Sequence, residues 1–228
     1  MSGLIDTTEM YLRTIYELLE EKVPPLRARL AERLQQSGPT VSQTVSRMER
    51  DGLLRVHEDR HLLLSEAGME AALKVMRRHR LAERLLLDVV GLEWPLVHDE
   101  ACKWEHVIGS TVELKLTDLL GDPELSPYGT PIPRLEEPAE ASVARFRASA
   151  DPLSDCLSDE AAAGPFKLVR IGEYLQRDAE ALAVLDAAGI RPGADVRARR
   201  GPVWLELSFA GATCRLDAAC ADQLFVAR

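Results

Sequence analysis

Over the first 120 positions apolar residues recur at spacings of three and four, the period of helices with one buried face. Met10, Ile15, Leu18 and Leu19 form the first stripe, in a helix expected to begin at Asp6 or Thr7, where Asp6 and Glu9 have capping-box spacing. Pro24-Pro25 stops that helix. Leu26, Leu30, Ala31 and Leu34 predict a short second helix, and Gln35-Gln36-Ser37-Gly38 a turn. Ser37 then caps a third helix, with Pro39 in its first turn and Gly52 after its end near Asp51. Val41, Val45 and Met48 read as the core face of this helix, and Thr40, Gln43, Thr44, Arg47 and Arg50 as its surface. Leu53–Val56 and His61–Leu64 predict a hairpin around Glu58-Asp59-Arg60. Helix, short helix, turn, capped helix and hairpin in this order describe a winged helix-turn-helix, placed over residues 1–73.

The pattern then changes twice. Residues 74–140 predict a helical domain. One long helix runs from a Ser65 cap to near Gly91 and one covers Leu96–Gly109; a third has Ser110 and Glu113 at capping-box spacing and ends at Gly121. Residues 141–165 lie in a stretch rich in Pro, Ala, Ser and acids and read as a linker. Residues 166–228 alternate short apolar runs with Gly and Pro, as a small β domain does. The fold expected is therefore mainly α, with a β domain at the C-terminus.

Charge sharpens this picture. The 228 residues carry a net charge of −9, which argues against non-specific nucleic-acid binding. Between positions 26 and 60 the sign reverses: Arg27, Arg29, Arg33, Arg47, Arg50, Arg55 and Arg60 outnumber Glu32, Glu49, Asp51, Glu58 and Asp59. Any DNA contact must be made by this local patch. A recognition helix enters the major groove N-terminus first, and the small residues Ser37, Pro39, Thr40 and Ser42 allow close approach. Gln43 can read a base edge and Pro39 can touch a thymine methyl, with Gln36 beside them in the turn. Arg27, Arg47, Arg50 and Arg60 are placed as phosphate anchors.

The N-terminus lacks the basic start and apolar core of a secretory signal, and no apolar run approaches the roughly 20 residues of a membrane span. The expectation is a cytoplasmic protein. Its 4 cysteines form no CxxC pair, so a disulfide framework is not expected, and each reads first as a small buried hydrophobe. Cys102, Glu105 and His106 change that reading, because positions i, i+3 and i+4 bring a thiolate, a carboxylate and an imidazole to one helical face. His79 and Glu83 form an i, i+4 pair on the preceding helix, and His98 opens the helix of Cys102. Both helices can point ligands into one groove. Such donors exclude an all-oxygen magnesium or calcium cage, but leave iron, nickel, cobalt, manganese and zinc open. Two rival readings remain. One is an enzyme, either with Cys102 as nucleophile and His106 as base or as a metallohydrolase, though a third orienting group and a Gly-rich oxyanion loop are missing. The other is a winged-helix repressor that senses a small organic ligand.

Several stretches resemble the diphtheria toxin repressor and iron-dependent regulator family. They are Asp6–Tyr16 (DTTEMYLRTIY), Ser37–Arg55 (SGPTVSQTVSRMERDGLLR), His79–Leu87 (HRLAERLLL), Glu100–His106 (EACKWEH) and Ser126–Pro133 (SPYGTPIP). The resemblance is nearly continuous over residues 4–133 and looser beyond. It implies a metal-activated transcriptional repressor, not an enzyme, that binds a palindromic double-stranded DNA operator as a homodimer, with up to two dimers per operator. It implies two metal sites per subunit, filled by Fe2+ with Co2+, Ni2+, Mn2+ or Zn2+ as substitutes. The activating site would be Met10, Cys102, Glu105 and His106. The ancillary site would be His79, Glu83 and His98, with Glu173 and Gln176 reaching in from the C-terminal domain. Arg80 and Ser126 would help hold an anion there, and Thr130 stands where the family has Asn. The C-terminal domain would be SH3-like, with strands at Phe166–Ile171, Val196–Arg199, Val203–Phe209 and Leu224–Ala227.

Overall fold

The computed structural model describes residues 7–135, 137–148, 150–157 and 163–227. The expected Asp6 cap lies outside them. Helix α1 (Thr7–Glu20) buries Tyr11, Leu12, Ile15, Tyr16 and Leu18. Helix α2 (Arg27–Leu34) follows the two prolines, and Gln35 closes it in the left-handed region at φ 51°. Helix α3 (Gly38–Arg50) starts as expected: Ser37 Oγ accepts from the Thr40 amide at 3.4 Å, and Pro39 sits in the first turn. Val41, Val45 and Met48 are buried, and so is Thr44, which the sequence pattern had placed on the surface. Strands β1 (Leu54–Val56) and β2 (Leu62–Leu64) pair antiparallel as the wing. These elements share one core of their own, closed by Ala72 and Met76 of the next helix.

Helix α4 (Glu66–Arg84) is capped by Ser65 and packs along α1. Its N-terminus lies so close to the hairpin that a Cβ on Gly68 would stand 1.9 Å from the Leu53 carbonyl oxygen. The helix does not run unbroken to Gly91. It gives way to a π-helical segment, Leu85–Val90, which Gly91 ends at φ 78°. The helix expected over Leu96–Gly109 is shorter than its pattern: a 3-10 turn (Trp94–Leu96) leads into α5 (Val97–Trp104), and Glu105–Val107 lie in turns. Helix α6 (Ser110–Leu119) begins one residue earlier than the expected cap would allow. Gly109, not Ser110, takes the cap position, because Glu113 is drawn inward to accept from Arg77 Nε at 3.1 Å and Arg78 Nε at 3.0 Å.

The expected linker needs correction. Its span carries most of α7 (Ala139–Arg147), strand β3 (Ala150–Pro152) and the turn α8 (Leu153–Cys156). The Ala- and Ser-rich composition hides a few anchoring residues. Tyr16 donates to Ser142 Oγ at 2.8 Å, Phe146 meets Phe225 edge-on at 5.4 Å, and Leu153 is fully buried.

Strand β4 (Ala163–Ile171), helices α9 (Glu173–Gln176) and α10 (Ala179–Ala187), and strands β5 (Asp195–Arg200), β6 (Trp204–Phe209), β7 (Ala212–Asp217) and β8 (Leu224–Ala227) complete the chain. The strands form one antiparallel sheet in the order β3-β8-β4-β5-β6-β7. All four expected strands are present, and β3 and β7 are added at the edges. The sheet shares its apolar core with the helical domain, where Ala82, Trp94, Val97 and Tyr128 belong to the same cluster as Leu168, Ile171 and Leu205. The Ile171 amide donates to the Tyr128 carbonyl at 2.9 Å across this seam. Gly129, at φ 78°, lets the two backbones meet, since a Cβ there would stand 2.0 Å from the Val169 carbonyl oxygen.

Candidate metal centre and DNA-reading helix

Three elements bring the expected ligands together. Helix α4 supplies His79 and Glu83, helix α5 supplies His98 and Cys102, and α9 supplies Glu173 and Gln176. His79 Nε2 lies 2.9 Å from Glu83 Oε1 and 3.2 Å from His98 Nδ1. His98 Nδ1 is also 3.1 Å from Gln176 Oε1. Glu173 Oε2 stands 3.5 Å from His79 Nε2 and 3.6 Å from His98 Nδ1. One ligand atom each from His79, Glu83, His98 and Glu173 falls within 4.8 Å of the others, in a fully buried group. Cys102 joins His79 and His98 in an overlapping group, with its Sγ 3.5 Å from His98 Nε2.

Glu105 and His106 stand on the far side of Cys102. Glu105 Oε2 is 2.6 Å from His79 Nδ1, and His106 Nε2 is 3.2 Å from Glu105 Oε1. His106 Nδ1 meets Glu9 Oε2 at 2.6 Å, a carboxylate that fixes the ring's orientation. Met10 is half-buried on α1, one residue from Glu9. Between these groups lies Arg13, which sequence reasoning did not single out. Its Nη1 is 2.5 Å from Glu105 Oε2, 3.0 Å from His79 Nδ1 and 3.3 Å from Cys102 Sγ, and its Nε is 2.9 Å from Glu17 Oε1. One signal for it was present: Arg13, Glu17 and Glu20 are charged residues at i, i+4 and i+7 of a helix whose other inward positions are apolar apart from Thr14.

These contacts set the charge of the site. Burial disfavours the Cys102 thiolate, but Arg13 and His98 outweigh it and hold the thiol well below its usual range. Burial likewise opposes the Glu105 charge, yet Arg13 and His79 hold its carboxyl at about 2. For His98, burial works against the charged ring, while Cys102 and Glu83 carry it up to about 9. The thiolate and carboxylate donors are thus anionic where a cation is to be held, and the His98 ring carries a proton that a bound cation would replace.

The residues of the anion expectation are engaged with one another and with carboxylates. Arg80 Nε and Nη2 donate to Glu173 Oε1, Nη1 and Nη2 donate to Glu20, and Nη1 also donates to the Pro131 carbonyl. That accounts for all five N–H groups of a guanidinium. In this arrangement Arg80 has no N–H left to offer an anion. Ser126 and Thr130 bond one another at 2.7 Å.

On the reading head, Ser37, Pro39, Thr40, Ser42, Gln43, Arg47, Arg50 and Arg60 are all exposed. Gln36 and Arg27 are half-buried. Gln36 Oε1 accepts from Tyr11 Oη at 2.5 Å, so part of its side chain is spent holding the turn to α1.

Two family models match the chain. Residues 3–62 match the iron dependent repressor N-terminal DNA binding domain, and residues 65–134 match the iron dependent repressor metal binding and dimerisation domain. The iron-dependent repressor IdeR of Mycobacterium tuberculosis (strain ATCC 25618 / H37Rv) is 53% identical over 204 residues, covering 89% of this chain and 87% of that one. The chain belongs to the iron-dependent repressor family. This repressor is also 52% identical over 202 residues to the diphtheria toxin repressor of Corynebacterium diphtheriae (strain ATCC 700971 / NCTC 13129 / Biotype gravis), covering 86% and 85% of the two chains. Among solved structures, a manganese-dependent transcriptional repressor complexed with manganese matches it with a TM-score of 0.75 at 26% identity, over 97% of this chain and 99% of that one. The manganese regulator SloR shares the fold at a TM-score of 0.74 and 22% identity, over 97% and 98% of the two chains. The repressor is accordingly a metal-dependent transcriptional repressor with a DNA-binding helix-turn-helix head and a homodimeric family fold. Among its described residues no helix is long and apolar enough to cross a membrane.

Proposed function

We propose that this repressor is activated by ferrous iron in the cytoplasm and, as a homodimer, binds palindromic operators of iron-homeostasis genes, with two dimers on one operator. Met10, Cys102, Glu105 and His106 form the activating set in this reading, and His79, Glu83, His98, Glu173 and Gln176 the ancillary set. One observation carries it. Glu83 Oε2 is buried without a hydrogen-bond partner, Glu173 Oε2 is buried with only the two ligand rings at 3.5 and 3.6 Å, and carboxylate lone pairs left this way favour a cation. The donor types fit a divalent transition ion. A thiolate beside a thioether favours iron and the later metals over manganese, while Co2+, Ni2+, Mn2+ or Zn2+ remain able to substitute. Relatives that are named for iron and share half of the sequence support the same choice.

The placement of the ligands supports a mechanism. Met10 rides on α1, which belongs to the core of the reading head, while the other activating ligands lie at or just beyond α5. A divalent ion bound there supplies a cross-link between the two. Helix α1 then holds α3 at a fixed angle to the dimerisation domain, which sets the spacing of two recognition helices across successive major grooves. Moving such an equilibrium from nearly all incompetent to nearly all competent takes about 5.5 kcal/mol of differential affinity. Val107, Val112, Leu114 and Leu119 are exposed near or on α6 and offer an apolar face for a second subunit.

Mixing the purified protein with fragmented genomic DNA, with Fe2+ or Co2+ in one sample and chelator in the other, tests this reading. Metal-dependent enrichment of palindromic fragments is the expected result. Equal enrichment in both samples removes metal gating and favours the organic-ligand repressor. No enrichment in either removes the DNA reading.

A further inference from the structure

We infer that the Arg13 guanidinium is a built-in competitor of the metal: it takes the same lone pairs on Glu105 and Cys102 that an ion needs, and so sets the metal concentration at which the repressor responds. The inference rests on the metal reading above. Arg13 is almost fully buried, and one nitrogen, Nη1, lies 2.5 Å from Glu105 Oε2, 3.0 Å from His79 Nδ1 and 3.3 Å from Cys102 Sγ. Charge-assisted bonds of this kind are the strong ones, and an ion can bind these atoms only by displacing them. One nitrogen makes all three contacts, and the planar guanidinium leaves Nε free to pair with Glu17 at the same time, which a lysine ammonium could not do from a second atom.

The geometry also shows where the guanidinium is retained. Its Nε pairs with Glu17 at 2.9 Å, on the side away from the cluster. Glu17 in turn faces Arg33 of α2 at 3.8 Å and Arg177 of the C-terminal domain at 3.5 Å. Arg177 Nη1 donates to the Arg33 carbonyl at 2.6 Å, and Arg33 is paired with Glu21. A guanidinium leaving the cluster moves onto Glu17, whose two other cationic partners belong to the reading head and to the C-terminal domain. Displacement of Arg13 therefore reaches both through ion pairs already in place.

The test is a Co2+ titration of the full chain at pH 8. It is followed by the sulfur-to-cobalt charge-transfer band and calibrated against a competing chelator, so no DNA binding is needed. Loss of even one charge-assisted bond from the competing state predicts that Arg13→Met binds Co2+ about tenfold more tightly than the parent chain, or better. Arg13→Lys, which keeps the charge and the burial, should fall between the two and serves if Arg13→Met does not fold. Glu17→Gln, which removes the retaining carboxylate, should bind Co2+ more weakly than the parent. A band in parent and variants with equal affinities overturns the role of Arg13 while leaving the metal reading intact. Weaker binding by both Arg13 variants also overturns it and makes Arg13 a support for the ligands. No thiolate band in any chain overturns both readings.

Discussion

Arg80 Nε donates to Glu173 Oε1 at 3.0 Å, with both side chains buried, so a helix of the central domain and one of the C-terminal domain are tied by an ion pair. Glu20 completes the group from α1 at 2.7 Å. Removing the cation leaves two uncompensated carboxylates in the interior. Arg80→Met is expected to lower the unfolding free energy by about 3–5 kcal/mol, the range for breaking a buried pair from one side. Urea denaturation in the presence of chelator measures it. A loss under about 1 kcal/mol would mean that the carboxylates find protons or water at little expense.

Cys102→Ala and His106→Ala should each abolish metal-dependent operator binding while leaving the folded state intact. Cys102 is half-buried beside polar groups and His106 sits in a turn, so neither fills the apolar core. DNA affinity in metal and thermal unfolding in chelator are the two readouts. Parent-like DNA affinity in either variant would remove that residue from the activating set.

The exposed face of α3 should divide into residues that read bases and residues that hold the backbone. Gln43→Ala is expected to relax base preference at one operator position by about 1–3 kcal/mol. Arg60→Ala, in the wing, should weaken binding evenly across sequences and reduce the salt slope by about one. Binding measured over an operator library at several salt concentrations separates the two effects. The reverse assignment of effects would exchange the two roles.

Gly129→Ala should loosen the seam between the domains. The new methyl would stand 2.0 Å from the backbone oxygen of Val169, at a residue whose φ is already 78°. Overpacking of this kind destabilises by about 1–3 kcal/mol. Hydrogen exchange should report it first at the Ile171 amide, which donates to Tyr128 across the seam. An unchanged exchange rate there would show that the sheet can shift away without loss.

The reading head was legible because its signals are local. Ser37, Pro39 and Gly52 mark the ends of α3 by rules that need no tertiary context. The candidate metal ligands were legible for a related reason, since helical spacing puts His79 beside Glu83, and His98 beside Cys102. What escaped depends on contacts between distant segments. Strand β7 does alternate, with Ala212, Cys214 and Leu216 against Thr213, Arg215 and Asp217, but it is short, lies at the sheet edge and has one well-buried side chain, Cys214. The helix at Ala139–Arg147 is hidden in an Ala- and Ser-rich stretch because a few residues hold it, with Ser142 bonded to Tyr16 and Phe146 packed on Phe225. The pairing of Arg80 escaped because nothing near it in sequence reveals that Glu20 and Glu173 converge on it.

The two ring nitrogens of His79 look in opposite directions, Nδ1 toward Glu105 and Nε2 toward Glu83 and His98. No substitution at this position can be confined to one set of candidate ligands. A lineage retuning its metal response has other residues to vary one at a time, but position 79 ties both sets to a single codon. A descendant that kept one set and discarded the other would have to do so around this histidine.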